Sequence, residues 1–115
     1  MKISSSNCGD IQVLELSGEL DYHSSPELRE KLTELTAKQT GKILVNLSGV
    51  DYMVSSGIAT FVEAFQKAKR YQGRLILAAL TPTVRGVFEI AKLDSIFEIT
   101  PTVQDAQDRL TAAKA

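Results

Sequence analysis

Val50-Asp51-Tyr52-Met53-Val54-Ser55-Ser56-Gly57-Ile58 joins two segments of different period. The run before it, Ile43 to Leu47, is apolar. The run after it places apolar residues at Ile58, Phe61, Val62, Phe65 and Ala68, the i, i+3, i+4, i+7 spacing of a helix. A buried strand therefore leads through a short loop into a helix, with two serines and a glycine at the junction. A serine here can cap the helix, because its oxygen accepts a bond from a first-turn N–H that has no other partner. The same helix end tolerates added negative charge, so the residue could equally carry a phosphate.

Working outward, the same alternation continues. Residues 2–7 are polar and form a short edge strand or a loose arm. Ile11 to Leu16 reads as a strand that Gly18 and Asp21 end in a loop. Ser25-Pro26 starts a helix, with Ser25 as cap and Leu28, Leu32 and Leu35 on one stripe. Lys42 to Leu47 is apolar on both faces, as a covered central strand should be. Leu75 to Leu80 repeats that pattern after a turn at Gly73. Thr81-Pro82 opens a helix with Val84, Val87, Phe88 and Ala91 inward. Ile96 to Ile99 is a last short strand, and Pro101-Thr102 introduces a helix with Val103, Ala106 and Leu110 inward. Strand–helix alternation from Lys42 onward implies parallel strands joined by right-handed crossovers. The fold class is α/β: a four- or five-stranded mixed, mostly parallel sheet flanked by four helices, with the N-terminal strand at an edge. At 115 residues, positions 1–115 are expected to form one domain.

Composition narrows the function. The chain is 43% hydrophobic and 23% charged, with formal net charge −1. That suits a globular chain and offers no basic excess for a phosphate backbone, so no nucleic-acid partner is expected. One cysteine, Cys8, and one histidine, His23, do not suffice for the usual transition-metal sites, and a single cysteine forms no intrachain disulfide. No apolar run approaches the ~20 residues of a membrane span and no signal-peptide core is evident; no membrane insertion is expected, and the compartment is read as cytoplasmic.

Motifs for chemistry are mostly missing. There is no GxxxxGKS/T and no GxGxxG phosphate loop, and Ser-Ser-Gly is not the GxSxG nucleophile elbow. A serine nucleophile also needs a base, and His23 is the only histidine, placed in the loop before the first helix. His23 is read as an exposed loop residue. Asp21 and Asp51 are read as following strands in loops, either as a carboxylate pair or as separate braces of their own loops. Lys67-Ala68-Lys69-Arg70 is a solvated helix end, or an acid-seeking surface.

Asn46-Leu47-Ser48-Gly49 and the junction through Ile58 together resemble the signature of STAS domains, and more narrowly that of bacterial anti-sigma factor antagonists. Leu16-Ser17-Gly18-Glu19-Leu20-Asp21 followed by Glu27-Leu28-Arg29 is similar to the family's first loop and first helix. Arg74-Leu75-Ile76-Leu77 and the segment from Val84 to Phe97, with Leu93 and Ile96 in place, extend the resemblance over almost the whole chain. It implies a non-enzymatic regulator in a partner-switching system, without cofactor or metal. The unphosphorylated form binds an anti-sigma factor that is a serine kinase and frees its client. Phosphorylation by that kinase releases the antagonist, and a metal-dependent, PP2C-like serine phosphatase resets it. By position the phosphoacceptor corresponds to Ser56, with Ser55 as the alternative, and Asp21 matches a family aspartate beside that serine. The implied partner face comprises the first loop around Asp21 to Ser25, the junction Met53 to Gly57 and the start of the helix after it, with Asp21, Ser24, Asp51, Met53, Val54, Ser55, Ser56 and Gly57 singled out. The alternative is a constitutive STAS subunit of a membrane-associated or stress-sensing assembly, in which the serine only caps a helix. At two positions the chain departs from the family pattern: Val54 stands where an aspartate usually precedes the serine pair, and Ala59 where glycine is frequent.

Overall fold

A computed structural model describes residues 1–112; residues 113–115, inside the expected domain, lie outside the described residues. The elements in order are β1 (Lys2–Cys8), β2 (Ile11–Leu20), α1 (Ser25–Ala37), β3 (Lys42–Met53), α2 (Ser55–Arg70), β4 (Arg74–Ala78), α3 (Pro82–Ile90), β5 (Glu98–Thr100) and α4 (Val103–Ala112). The sheet runs β1-β2-β3-β4-β5. Strand β1 is antiparallel to β2 and every other neighbouring pair is parallel. The expected mixed sheet thus has five strands, and the polar N-terminal arm is its edge.

Because each parallel connection steps one strand in the same direction, crossovers of one hand place their helices on one face. Leucines 28, 32 and 35 of α1, Phe61 and Ala64 of α2, and Val84 and Phe88 of α3 all pack there against Leu14, Leu16, Leu47 and Leu77. Helix α4 follows the last strand and covers the opposite face, where Ala106 and Leu110 meet Ile11, Val13, Leu44 and Ile76. Consecutive apolar residues in β3 and β4 are therefore explained: Ile43 and Val45 serve one layer and Leu44 the other.

Two strands are longer than expected, and this decides the site. Strand β2 runs to Leu20 and β3 to Met53, where the loops were expected after Leu16 and Leu47. Their register slips twice, from Glu15↔Asn46 to Ser17↔Gly49 and from Gly18↔Val50 to Glu19↔Tyr52. Each slip gives β3 one extra residue, a β-bulge. The inward positions of β3 then fall three apart, at Leu47, Val50 and Met53, all buried in the α1–α2 layer. Period-2 alternation is lost in such a segment, and Ser48-Gly49 and Asp51-Tyr52 read as loop. Gly18 takes φ +103°, a backbone that a side chain rarely adopts.

Smaller differences concern ends of elements. Strand β4 starts at Arg74 and ends at Ala78, and β5 is Glu98–Thr100 rather than Ile96 to Ile99. Ile96 is exposed in the turn before it. Ala91, expected inward, is the exposed residue that ends α3. Phe65 and Phe88 instead bracket Phe97, with ring centroids 5.1 and 5.6 Å away.

Candidate functional site

The C-terminal ends of β2 and β3 are paired, Leu20 opposite Met53. The Val54 N–H donates to Leu20 O at 3.1 Å, so the chain leaves β3 and enters α2 while still tied to β2. Helix α2 begins at Ser55 with Val54 in the cap position, φ −105° and ψ 173°, and no side chain caps it. The expectation that a serine caps this helix is corrected: the serines occupy the first two helical positions, where the side chain no longer reaches back to the free N–H groups. Gly57 is buried, and a Cβ there would lie 2.6 Å from Leu20 Cδ2 and 2.7 Å from Leu20 Cγ. The glycine is required by close packing against the end of β2.

The turn between β2 and α1 faces this junction. Asp21 Oδ1 accepts the N–H groups of His23 and Ser24, each at 3.0 Å. Ser24 Oγ accepts the Asp21 N–H at 2.9 Å and reaches Glu19 O at 2.9 Å. Asp21 thus braces its own turn, the second of the two readings its position allowed. The Ser24 N–H first, then the Ser24 hydroxyl, hold its carboxyl below the usual carboxylate range. The α1 cap is Ser24, one residue before the expected Ser25, again without a side-chain cap bond. Ser25, 5% exposed, is the first helical residue. Its Oγ lies 2.7 Å from Asp21 O and 3.0 Å from Ser56 Oγ. Two serines 31 positions apart are thus joined hydroxyl to hydroxyl.

Ser56 and Ser25 open into a cleft of about 480 Å³ between α1 and α2, also lined by Tyr22, Pro26, Arg29 and Thr60. Tyr22 is 78% exposed at its rim. Arg29 Nη2 reaches Glu63 Oε2 at 2.7 Å and Lys67 Nζ reaches Glu63 Oε1 at 3.0 Å, joining the two helices. The Lys67 hydrogen bond first, then the Arg29 charge, keep the Glu63 carboxyl below its ordinary value. Lys69 lies over the Phe65 ring at 5.6 Å, so part of the basic helix end is engaged locally.

Of the residues singled out from sequence, Asp21, Ser24, Met53, Val54, Ser55, Ser56 and Gly57 converge where β2 and β3 end. Met53 and Gly57 are buried there, Ser55 is exposed and Ser56 half-buried. Asp51 departs from expectation: it is the extra, exposed residue of the second bulge in β3, and it does not line the cleft. His23 supplies its backbone N–H to the Asp21 brace and its side chain is exposed, as expected. Sequence reasoning put the loop from Asp21 to Ser25, and so Tyr22 and Ser25, on the partner face, but it did not single out Tyr22 or Thr60. Ser25 had been assigned a capping role, and Thr60 stood in no quoted motif.

Among the described residues no group of three or more His, Cys, Asp or Glu could hold a metal ion. No helix among them is long and apolar enough to cross a membrane.

Comparison with known proteins agrees with this fold. The STAS domain family profile matches residues 3–106. The anti-sigma-B factor antagonist of Bacillus subtilis is 39% identical over 94 residues, 82% of this chain and 84% of that protein. The anti-sigma factor antagonist SpoIIAA in its unphosphorylated form superposes with a TM-score of 0.85 at 26% identity, covering 96% of this chain and 97% of that one. The Bacillus cell fate determinant SpoIIAA in the phosphorylated form does so with a TM-score of 0.76 at 26% identity, covering 95% and 99%. A five-stranded sheet with its serine junction at the paired ends of β2 and β3, and a 39% identical relative of that kind, place this chain in the STAS domain family, among the anti-sigma factor antagonists.

Proposed function

We propose that this protein is a non-enzymatic, cytoplasmic anti-sigma factor antagonist of a partner-switching system, with residues 1–115 as its STAS domain. Unphosphorylated, it binds a serine-kinase anti-sigma factor and frees that factor's client. Phosphorylation of Ser56 releases it, and a PP2C-like serine phosphatase restores binding. The observation that carries this reading is the placement of Ser56. Its hydroxyl sits on the first turn of α2, is not used as a cap, and opens into the α1–α2 cleft. A serine serving only as a helix cap, as in a constitutive subunit, would be engaged with the helix's own N–H groups.

A phosphate brings about −1.5 to −2 charges to a helix N-terminus, where the fold tolerates them. A partner docked over Tyr22, Asp21 and the α2 start would meet that charge at close range. Loss of about 2.7 kcal/mol weakens binding a hundredfold, which a local charge change can supply without refolding. The partner face then comprises the Asp21–Ser25 turn, the Met53–Gly57 junction and the cleft rim; Asp51 contributes from the strand end.

The anti-sigma-B factor that the Bacillus subtilis relative antagonises by name is the practical probe. Calorimetric titration should give Ser56→Ala near wild-type affinity and Ser56→Asp an affinity lower by roughly a hundredfold or more. With Mg-ATP, phosphopeptide mapping should place the phosphate on Ser56. Equal binding by the two variants, or a phosphate on Ser55, would remove Ser56 from its assigned role.

A further inference from the structure

We infer that Ser25 is the positioning residue of the phosphoacceptor: its buried hydroxyl accepts from Ser56 before phosphorylation and turns to donate to the phosphoester afterwards. The inference rests on the assignment of Ser56 above and adds a residue that capping or packing alone would not require.

Proton counting leads to it. A carbonyl oxygen carries no proton, so in the 2.7 Å contact with Asp21 O the Ser25 hydroxyl must be the donor. A serine hydroxyl has one proton, and Ser25 has then committed it. The 3.0 Å contact between the two hydroxyls must therefore be donated by Ser56. Its proton points inward to Ser25, while its two lone pairs are left for the cleft side. Ser25 is 5% exposed, so its hydroxyl is largely shielded from water. The hydrogen bond selects one orientation of the Ser56 side chain and presents an oxygen lone pair outward. Ser55, exposed one position earlier, receives no such support.

In phosphoryl transfer the Ser56 Oγ–P bond forms and the bond from the γ-phosphorus to the ADP oxygen breaks. The Ser56 hydroxyl proton, until then donated to Ser25, goes to a basic group of the kinase or to water. The product Oγ and the phosphate oxygens are acceptors only. Two oxygens 3.0 Å apart with no proton between them repel, and the remedy is a rotation about the Ser25 Cβ–Oγ bond. Ser25 then donates to the phosphoester. Asp21 O is not orphaned, since the Ser25 N–H still donates to it at 2.9 Å. The rotation exchanges a neutral hydrogen bond for a charge-assisted one, which is roughly twice as strong. Alanine at this position could neither accept nor donate.

The test needs no kinase, so its failure is separable from failure of the proposed function. Phosphoserine is installed at position 56 by genetic encoding in the full chain. The second phosphate pKa is read by ³¹P NMR in wild type, Ser25→Ala and Ser25→Thr. Donation from Ser25 favours the dianion, so Ser25→Ala should raise that pKa by roughly half a unit or more, and Ser25→Thr should restore it. The helix N-terminus, Arg29, Glu30 and Asp21 act on the phosphate in every variant and cancel in the comparison. A second reading uses wild type alone. Once the Ser25 hydroxyl has left Asp21 O, the Ser25 N–H shares that acceptor only with the more distant Ser24 hydroxyl at 3.4 Å, so its proton resonance should move downfield on phosphorylation. An unchanged phosphate pKa in a folded Ser25→Ala, or an unmoved Ser25 amide proton in wild type, would overturn the inference.

Discussion

Replacing Gly57 by alanine should destabilise this protein, against the rule that alanine is the better helix former. In an open helix interior the exchange would gain about 1 kcal/mol. Here the added Cβ would stand 2.6 Å from Leu20 Cδ2, 2.7 Å from Leu20 Cγ and 3.2 Å from Met53 Cγ. Carbon atoms in ordinary contact sit about 3.5 Å apart, so the overlap with Leu20 is about 0.9 Å. Leu20 is 0% exposed and Met53 4% exposed, so neither can step into solvent. Overpacking of this kind costs about 1–3 kcal/mol, and after the propensity gain the net loss should reach about 2 kcal/mol where the overlap takes the upper end of that range. For a domain near this size that lowers the thermal midpoint by up to about 8 °C. Urea denaturation of a double-mutant cycle isolates the cause. With Leu20→Ala in the background the severe overlap is gone and only the tight Met53 contact at 3.2 Å remains, so Gly57→Ala should lose its penalty and turn stabilising by up to about 1 kcal/mol, its propensity. A stabilising Gly57→Ala in the wild-type background, or the same loss in the Leu20→Ala background, would refute the packing argument.

Two further predictions concern the same junction. Val54→Asp puts an acceptor at the uncapped start of α2, within reach of the Ser56 or Gly57 N–H, and should raise stability by about 1 kcal/mol in the same urea assay; a loss would mean that the apolar packing of the half-buried Val54 outweighs a cap. Asp21 contributes stability above its unfolded pKa, near the reference 3.8, and that contribution is lost as pH falls through its lower folded value. Asp21→Asn should therefore flatten the acid side of the stability profile as pH falls through and below the reference 3.8, in urea midpoints taken against wild type; parallel profiles would show that the Ser24 and His23 N–H groups do not favour the charged form.

Much of the fold was legible because it depends on local period and on short signals. The largely apolar run Ile43 to Leu47 announced a strand covered on both sides, and Ile43, Leu44, Val45 and Leu47 each face one of the two cores. Ser25-Pro26 and Thr81-Pro82 marked helix starts to within a residue. The serine junction itself was visible as a change of period, and the family resemblance located Ser56 within it. Capping was misread because local sequence shows which residue types stand at a helix start, not which one is the last non-helical residue. Val54 takes that place because its N–H is held by Leu20 of a neighbouring strand.

What the amino-acid order determined by itself is the succession of elements, the parallel sheet with a polar edge, and the location of a serine at the head of a helix. These follow from hydrophobic spacing, which each segment carries within its own length. Tertiary structure alone decided the site. The bulges that extend β3 to Met53 arise from its register against β2, so Asp51 is a strand residue although its neighbourhood reads as loop. The glycine at position 57 answers to Leu20, 37 residues earlier in the numbering of the chain. Ser25 and Ser56 meet only because α1 and α2 cross the same face of the sheet and begin at its same end. A hydrogen bond between hydroxyls 31 residues apart has no periodic signature; it exists only once the strands between them have paired.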